Sequence, residues 1–177
     1  MIRSDYMIKI FDSERIDYVK VDPNLINDYL KLINDIEVQK GISDKAPFTV
    51  SFEEEMNWVK ENMEKDKTIF SMIEKTTNEF IGNIEVKIED NKGELGISIT
   101  RDKQDKHFGR EAINRIIKYS YEELKLDEIC LNVHGDNARA IKCYESCGFV
   151  IIGEGKRPSD YHMIHQKELN YDKKHNI

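Results

Sequence analysis

Two stretches of the chain combine residue types and spacings that could do chemistry. The first is "ELGISITRDKQDKHFGREA", Glu94 to Ala112, an alternating run, a polar loop and a helix opening near Gly109. A loop that runs into a helix in this way aims several unpaired backbone N–H groups and the positive end of the helix dipole at one place. That place suits an anion such as a pyrophosphate. Lys106 and Arg110 add positive charge, and Gly109 lets the backbone approach a ligand closely. On local pattern alone the same residues also read as a polar loop ahead of an amphipathic helix. Neither the Walker pattern nor Gly-x-Gly-x-x-Gly occurs in the chain.

The second stretch is "HGDNARAIKCYESCGF", His134 to Phe149. Asn137 is a good N-cap for the helix that follows. Tyr144 lies two turns in, beside Ala140 and Ile141, and taken singly reads as a half-buried aromatic. Cys143 and Cys147 are four residues apart on the same helix, and His162 and His165 fall in the last strand, but the spacing of a structural zinc site is absent. The plain reading of the two cysteines is small core residues. With Cys130 they make an odd count that does not resemble a disulfide framework, which points to a reducing compartment.

The elements that must position these stretches follow from periodicity. Arg15 to Val21 alternates as a first strand, and "PNLINDYLKLINDIEV" spaces Leu25, Ile26, Tyr29, Leu30, Leu32 and Ile33 as a first helix after Pro23. Ser51 with Glu54 forms a capping-box pattern for a second helix from Phe52 to about Met63, whose Met56, Trp58 and Met63 read as a core face. Strands at Ile69–Ile73, Phe80–Ile88 and Glu94–Thr100 are separated by turn-rich "KTTNE" and "EDNKG". The spacing then predicts a helix from Gly109 to Leu124, a strand from Glu128 to His134 and a helix from about Asn137 to Cys147. Strands near Phe149–Ile152 and Tyr161–Leu169 precede the polar tail "NYDKKHNI". A helix between the fourth and fifth strands implies a parallel crossover inside an otherwise antiparallel sheet.

The bulk numbers narrow the classes. At 177 residues one core is enough. Hydrophobic residues at 39% and charged residues at 34% describe a globular chain, with no apolar run near the ~20 residues a membrane helix needs. A net charge of −7 with scattered Lys and Arg lacks the footprint of nucleic-acid binding. The first residues hold no uninterrupted signal-peptide core, so a cytoplasmic location is expected.

In this strand order the two stretches resemble the GNAT superfamily of acyl-CoA-dependent N-acetyltransferases, from about Arg15 to Leu169. The family's [Gln/Arg]-x-x-Gly-x-[Gly/Ala] loop is matched by Gln104, Asp105, Lys106, His107, Phe108 and Gly109. Its second signature is matched by Asn137, Ala140, Ile141, Tyr144, Glu145, Gly148 and Phe149. The runs "EFIGNIEV", "ELGISI" and "YSYEELKLDEICLNV" are most similar to the branch that acetylates ribosomal-protein N-termini (RimJ/RimL-like), and to spermidine and amino-sugar relatives.

The resemblance implies one α/β (α+β) domain over residues 1–177, with about seven strands and four helices and a splayed parallel fourth and fifth strand. The pantetheine of acetyl-CoA would lie in that gap, bonded by backbone groups around Ile97 and Ile99, with the pyrophosphate on Gln104 to Arg110. Asn137, Ala140 and Lys142 would reach the coenzyme from the other side. A primary amine on a peptide, polyamine or amino sugar would attack the thioester directly, and Tyr144 would protonate the departing sulfur. No metal, nucleic acid or membrane is implied, and dimers are common in the family. The general base is open: Asn132 stands where some relatives carry a Glu, leaving Glu94 and Glu85, each of which also reads as a solvated strand residue. His107 replaces the loop's first Gly, at a higher cost for φ > 0. The short connection "GEGKRPSDYH" further separates this chain from the ribosomal and polyamine relatives. A non-catalytic acyl-CoA-binding domain and an unrelated mixed α/β binding domain are the competing readings.

Overall fold

The computed structural model describes residues 6–166. One sheet of eight strands runs through the molecule: β1 (Lys9–Asp12), β2 (Ile16–Val19), β3 (Ile69–Glu74), β4 (Phe80–Glu89), β5 (Lys92–Ile99), β6 (Glu128–His134), β7 (Phe149–Glu154) and β8 (Asp160–His165). Their order is β1-β2-β3-β4-β5-β6-β8-β7, with every pairing antiparallel except β5 with β6. The helices are α1 (Ile26–Ile33), α2 (Ile36–Ile42), α3 (Phe52–Asn62), α4 (Phe108–Glu122) and α5 (Ala138–Ser146). Among the described residues no helix is long and apolar enough to cross a membrane.

β3 is apolar on both faces because helices cover both. In β3, Phe70 and Met72 enter a core under α4 and α5 with Ile84, Val86, Ile113, Ile116, Leu131 and Phe149. Ile69 and Ile73 enter a second core under α1 to α3 with Leu25, Tyr29, Val38 and Val59. Each fully buried Phe or Ile side chain contributes about 1.5–3 kcal/mol. In α4, Ile113, Ile116, Ile117 and Ser120 are buried as their helical spacing predicts, Ala112 joins them, and Leu124, expected on the same face, packs partly buried just past the helix end. The capping box of α3 forms as well: Glu54 N–H donates to Ser51 Oγ (3.2 Å) and Ser51 N–H to Glu54 Oε2 (2.8 Å). Trp58 and Met56 pack partly buried on the second core, as expected, while Met63 is the half-buried C-cap of α3 and not a member of that core.

Two expectations need correction. Among the described residues there are eight strands and five α-helices, against about seven and about four expected. β1 is only four residues long and partly exposed, and pairs with β2 through an irregular register, so its alternation is too short to read. Phe11 gives it its place by stacking on Tyr18 and Tyr119 at 4.6 and 4.7 Å. The expected first helix is two helices, broken at Asn34 and Asp35. Asp35 is extended, with ψ of 118°, and its carboxylate accepts from Glu37 and Val38 N–H to start α2. Gln39, 1% exposed, then fixes α2 by donating to Ile33 and Phe48 carbonyls and accepting from Phe48 N–H. The expected end of the last strand at Leu169 and the polar tail lie outside the described residues.

Candidate active site

The parallel pair is short. β5 and β6 are in register only at Lys92↔Glu128, Gly93↔Ile129 and Glu94↔Cys130. Beyond that point β5 stays on β4 as far as Gly82↔Ile99, while β6 stays on β8 as far as His134↔Asp160, so the two strands part. The N–H of Thr100 donates to Ile81 O in the direction of β4. Alternation along the strand turns Ser98 and Gly96 the same way and leaves the N–H and C=O groups of Ile97 and Ile99 facing the gap. The Ile99 carbonyl is met there by Gln104 Nε2 at 3.0 Å. At Gly82 in β4 a Cβ would lie 1.9 Å from Ser98 O, so close approach of the backbones requires glycine.

The loop after β5 closes one end of the gap. Asp105 and His107 both take left-handed backbone, at φ of 57° and 65°, so His107 adopts the conformation for which a glycine would be cheaper. His, Asp and Asn are the side chains that tolerate it best. The first bond of the α4 ladder runs from Glu111 N–H to His107 O at 3.2 Å. The N–H groups of Phe108, Gly109 and Arg110 therefore precede the ladder and aim outward with the helix dipole behind them. Lys106, His107 and Arg110 are exposed and Phe108 is buried as the anchor.

Three side chains outside the expected set hold this loop. Arg15 donates to Lys106 O (3.0 Å) and to Glu111 Oε2 (2.8 Å), and its guanidinium lies 4.4 Å over the Phe108 ring. Lys103, 5% exposed, pairs with Glu74 at 2.7 Å and with Glu79, tying the loop's start to the β3–β4 turn. Arg139 of α5 reaches Asp105 at 3.3 Å. Beside the loop, Glu14, Arg15, His107, Arg110, Glu111 and Arg115 line an open cavity of about 480 Å³ next to the candidate phosphate site. These contacts span 24 to 96 residues, so no local pattern announces them.

α5 forms the other wall. Asn137 Oδ1 accepts from Ala140 N–H at 3.2 Å, the cap expected from sequence, which leaves its amide NH2 to donate elsewhere. A Cβ on Gly109 would lie 3.3 Å from Ile99 Cδ1 and 3.9 Å from Cys143 Sγ, so β5, α4 and α5 meet at this glycine. Tyr144 is the next residue, half-buried, its ring 6.0 Å from Phe149 and its hydroxyl without a hydrogen bond among the described residues. Burial, followed by the neighbouring Cys143 and Cys147, pushes its phenol up, which keeps it protonated at neutral pH. Ala140 packs against the core, while Lys142 is exposed on the outer side of the helix. The Cys147 thiol bonds toward Cys143 and holds that thiol low despite burial, with Arg110 and Arg139 adding to the effect.

The opposite face of the gap carries a polar cluster. Leu131, Val133 and Met163 fill the core under α4 and α5, so Asn132 of β6 and His162 of β8 point the other way, as does Glu94 on β5. Asn132 Nδ2 donates to Glu94 Oε1 at 2.9 Å, and the Lys156 ammonium pairs with Glu94 Oε2. Asn132 Oδ1 faces Lys156 N–H at 3.3 Å and His162 Nδ1 at 3.2 Å. Burial raises the Glu94 proton affinity, but the bonds from Lys156 and Asn132 outweigh it and hold the carboxyl below its usual range. Glu85, the other expected candidate, is paired with Lys87 at 3.4 Å.

Comparison with known proteins identifies the family and the fold. The family model described as Acetyltransferase (GNAT) domain matches residues 15–150. A spermidine N(1)-acetyltransferase of Vibrio cholerae is 40% identical over 70 residues, a match that spans 40% of this chain and 40% of that protein. Among solved structures, a GNAT-family acetyltransferase of Bacillus anthracis superposes with a TM-score of 0.78 at 22% identity, covering 89% of this chain and 98% of that one. The V. cholerae spermidine N-acetyltransferase in complex with CoA and spermine gives a TM-score of 0.72 at 23% identity, covering 86% and 95%. A strand pair that opens over a helix-capping loop, matched by a family model over most of the chain, places this protein in the GNAT acetyltransferase family.

Proposed function

We propose that this chain transfers the acetyl group of acetyl-CoA to a primary amine by direct attack. The observation that carries the reading is the gap beyond Glu94 and Cys130, with the amides of Ile97 and Ile99 turned into it, the α4 loop at one end and Tyr144 on its wall. In this reading the pantetheine amides bond β5 as an added strand would, and Gln104, Asp105, Lys106, His107, Phe108, Gly109 and Arg110 cradle the pyrophosphate through backbone N–H groups and two cations. The free amide NH2 of Asn137 approaches the pantetheine arm from α5, with Ala140 packing beside it and Lys142 at the outer rim.

The amine nitrogen adds to the thioester carbonyl, the tetrahedral intermediate collapses, and the C–S bond breaks. Tyr144 then gives its proton to the thiolate; burial keeps the phenol protonated up to that step but does not by itself make it a stronger donor. Glu94, held low by Lys156 and Asn132, is a poor proton acceptor and a good partner for an ammonium group. A polyamine is the first acceptor to test, which the spermidine-acetylating relative and the net charge of −7 both support. Peptide N-termini and amino sugars are the next classes.

The experiment follows thiol release from acetyl-CoA with polyamines, amino sugars and N-terminal peptides. We expect turnover with at least one amine, and Tyr144→Phe to lower kcat by about 10²-fold or more with coenzyme affinity unchanged. Equal kcat in the variant at every pH removes Tyr144 from the mechanism.

A further inference from the structure

On the open face of the gap, Glu94, Asn132, Lys156 and His162 form one hydrogen-bonded cluster. Its hydrogen-bond pattern is over-determined. The Glu94 carboxylate can only accept, so the Asn132 atom 2.9 Å from it is the NH2 group. The backbone N–H of Lys156 can only donate, so the Asn132 atom 3.3 Å from it is the carbonyl oxygen. Both constraints give the same amide orientation. His162 Nδ1 lies 3.2 Å from that oxygen and must therefore donate to it. A neutral His162 then carries its proton on Nδ1 and its lone pair on Nε2, which has no hydrogen bond among the described residues.

We infer that His162 is the general base of the acetyl transfer, with Asn132 fixing its tautomer and Glu94 fixing Asn132. The inference rests on the transferase reading above. Because the opposite face is filled by Leu131, Val133 and Met163, the acceptor enters from the side on which His162, Asn132 and Glu94 lie. An ammonium acceptor gives one proton to His162 Nε2. The neutral nitrogen then forms the C–N bond while Tyr144 protonates the sulfur, and the nitrogen's second proton leaves to water. His162 returns its proton to water and Tyr144 regains one, so an ammonium acceptor releases one proton overall and an amine acceptor none. The charged groups of this face are Glu94 from β5, Lys87 and Glu85 from β4 beside it, and Lys156 from the β7–β8 connection; Cys130 lies next to them on β6, and β7 presents Gly153 opposite His162. Arg157 and Asp160 pair with each other at 2.8 Å beside this cluster. The sequence places His162 in the last strand but gives it no catalytic role, because only the strand order brings it next to Asn132, thirty positions earlier.

The test compares His162→Gln with the wild type, since glutamine keeps a donor for Asn132 Oδ1 and loses the lone pair. We expect kcat/KM to fall about 10²-fold or more, the acidic limb of its pH profile to disappear, and acetyl-CoA affinity by calorimetry to stay within about threefold. Nitrogen-15 spectra of the labelled wild-type imidazole, which need no variant to fold, should show the Nδ1–H tautomer. A His162→Gln enzyme that keeps both its rate and its acidic limb, or an Nε2–H tautomer, overturns the role while leaving the transferase reading intact. A wild type that binds acetyl-CoA and acetylates no amine overturns both.

Discussion

His107 sits where a glycine would be the inexpensive choice, at φ of 65°, with no side-chain bond to cap its helix. Left-handed backbone costs an L-residue roughly 1–2 kcal/mol, which glycine avoids at some cost in chain entropy. His107→Gly should therefore leave stability equal or raise it by up to about 1 kcal/mol, with coenzyme affinity within about threefold of wild type. His107→Val puts a β-branched side chain at the same φ. It should destabilise the fold by about 1–2 kcal/mol and weaken acetyl-CoA binding about tenfold or more. Urea unfolding and calorimetry on the pair check this. Equal affinity for both variants would mean that the left-handed turn does not shape the coenzyme site. Tyr144 differs in that its backbone is ordinary helix, and its function depends on what surrounds its hydroxyl.

The element that matters most is the loop from β5 to α4, which is held by distant partners. Ser13 Oγ and Arg15 N–H both donate to Glu111 Oε1 at 2.6 and 2.7 Å, and the Arg15 side chain continues to Lys106 O at 3.0 Å. The β1–β2 hairpin, absent from the sequence reading, is thus what braces the loop. Burial opposes ionisation of Glu111, but the bonds from Ser13 and Arg15 prevail and hold its carboxyl below the usual range. A depressed carboxylate pKa adds stability that is present above the unfolded value of about 4.3 and lost as pH falls through the lower folded value. Denaturation midpoints should decline from about pH 5 downward, and Glu111→Gln should show a lower midpoint at pH 7 and a shallower acid decline. Parallel curves for variant and wild type would place the acid sensitivity elsewhere, with Glu74 and its Lys103 partner the next group to replace.

For the molecule as a whole, the site joins β5, α4, α5 and the β6–β8 pair, so a ligand that bridges them should stabilise the entire fold. Acetyl-CoA at 100 times its Kd should add about 2.7 kcal/mol, a rise of roughly 5–10 °C in Tm for a chain of this size. A flat Tm across a saturating range would count against a coenzyme site in the gap. The sequence by itself determined the helix stripe of α4, the caps at Ser51 and Asn137, the alternating strands and the parallel crossover. Each of these is written in neighbours a few residues apart, where periodicity and capping chemistry act. It also placed the loop from Gln104 to Arg110 and Tyr144, through their likeness to family signatures. Only the tertiary structure decided that β5 and β6 part after three pairs, that β1 exists, and that Arg15, Lys103 and Arg139 hold the loop. It alone brought Asn132, Glu94, Lys156 and His162 together. Those outcomes depend on hydrogen bonds and packing between residues far apart in the chain, whose pairing is fixed by strand order and by no local pattern.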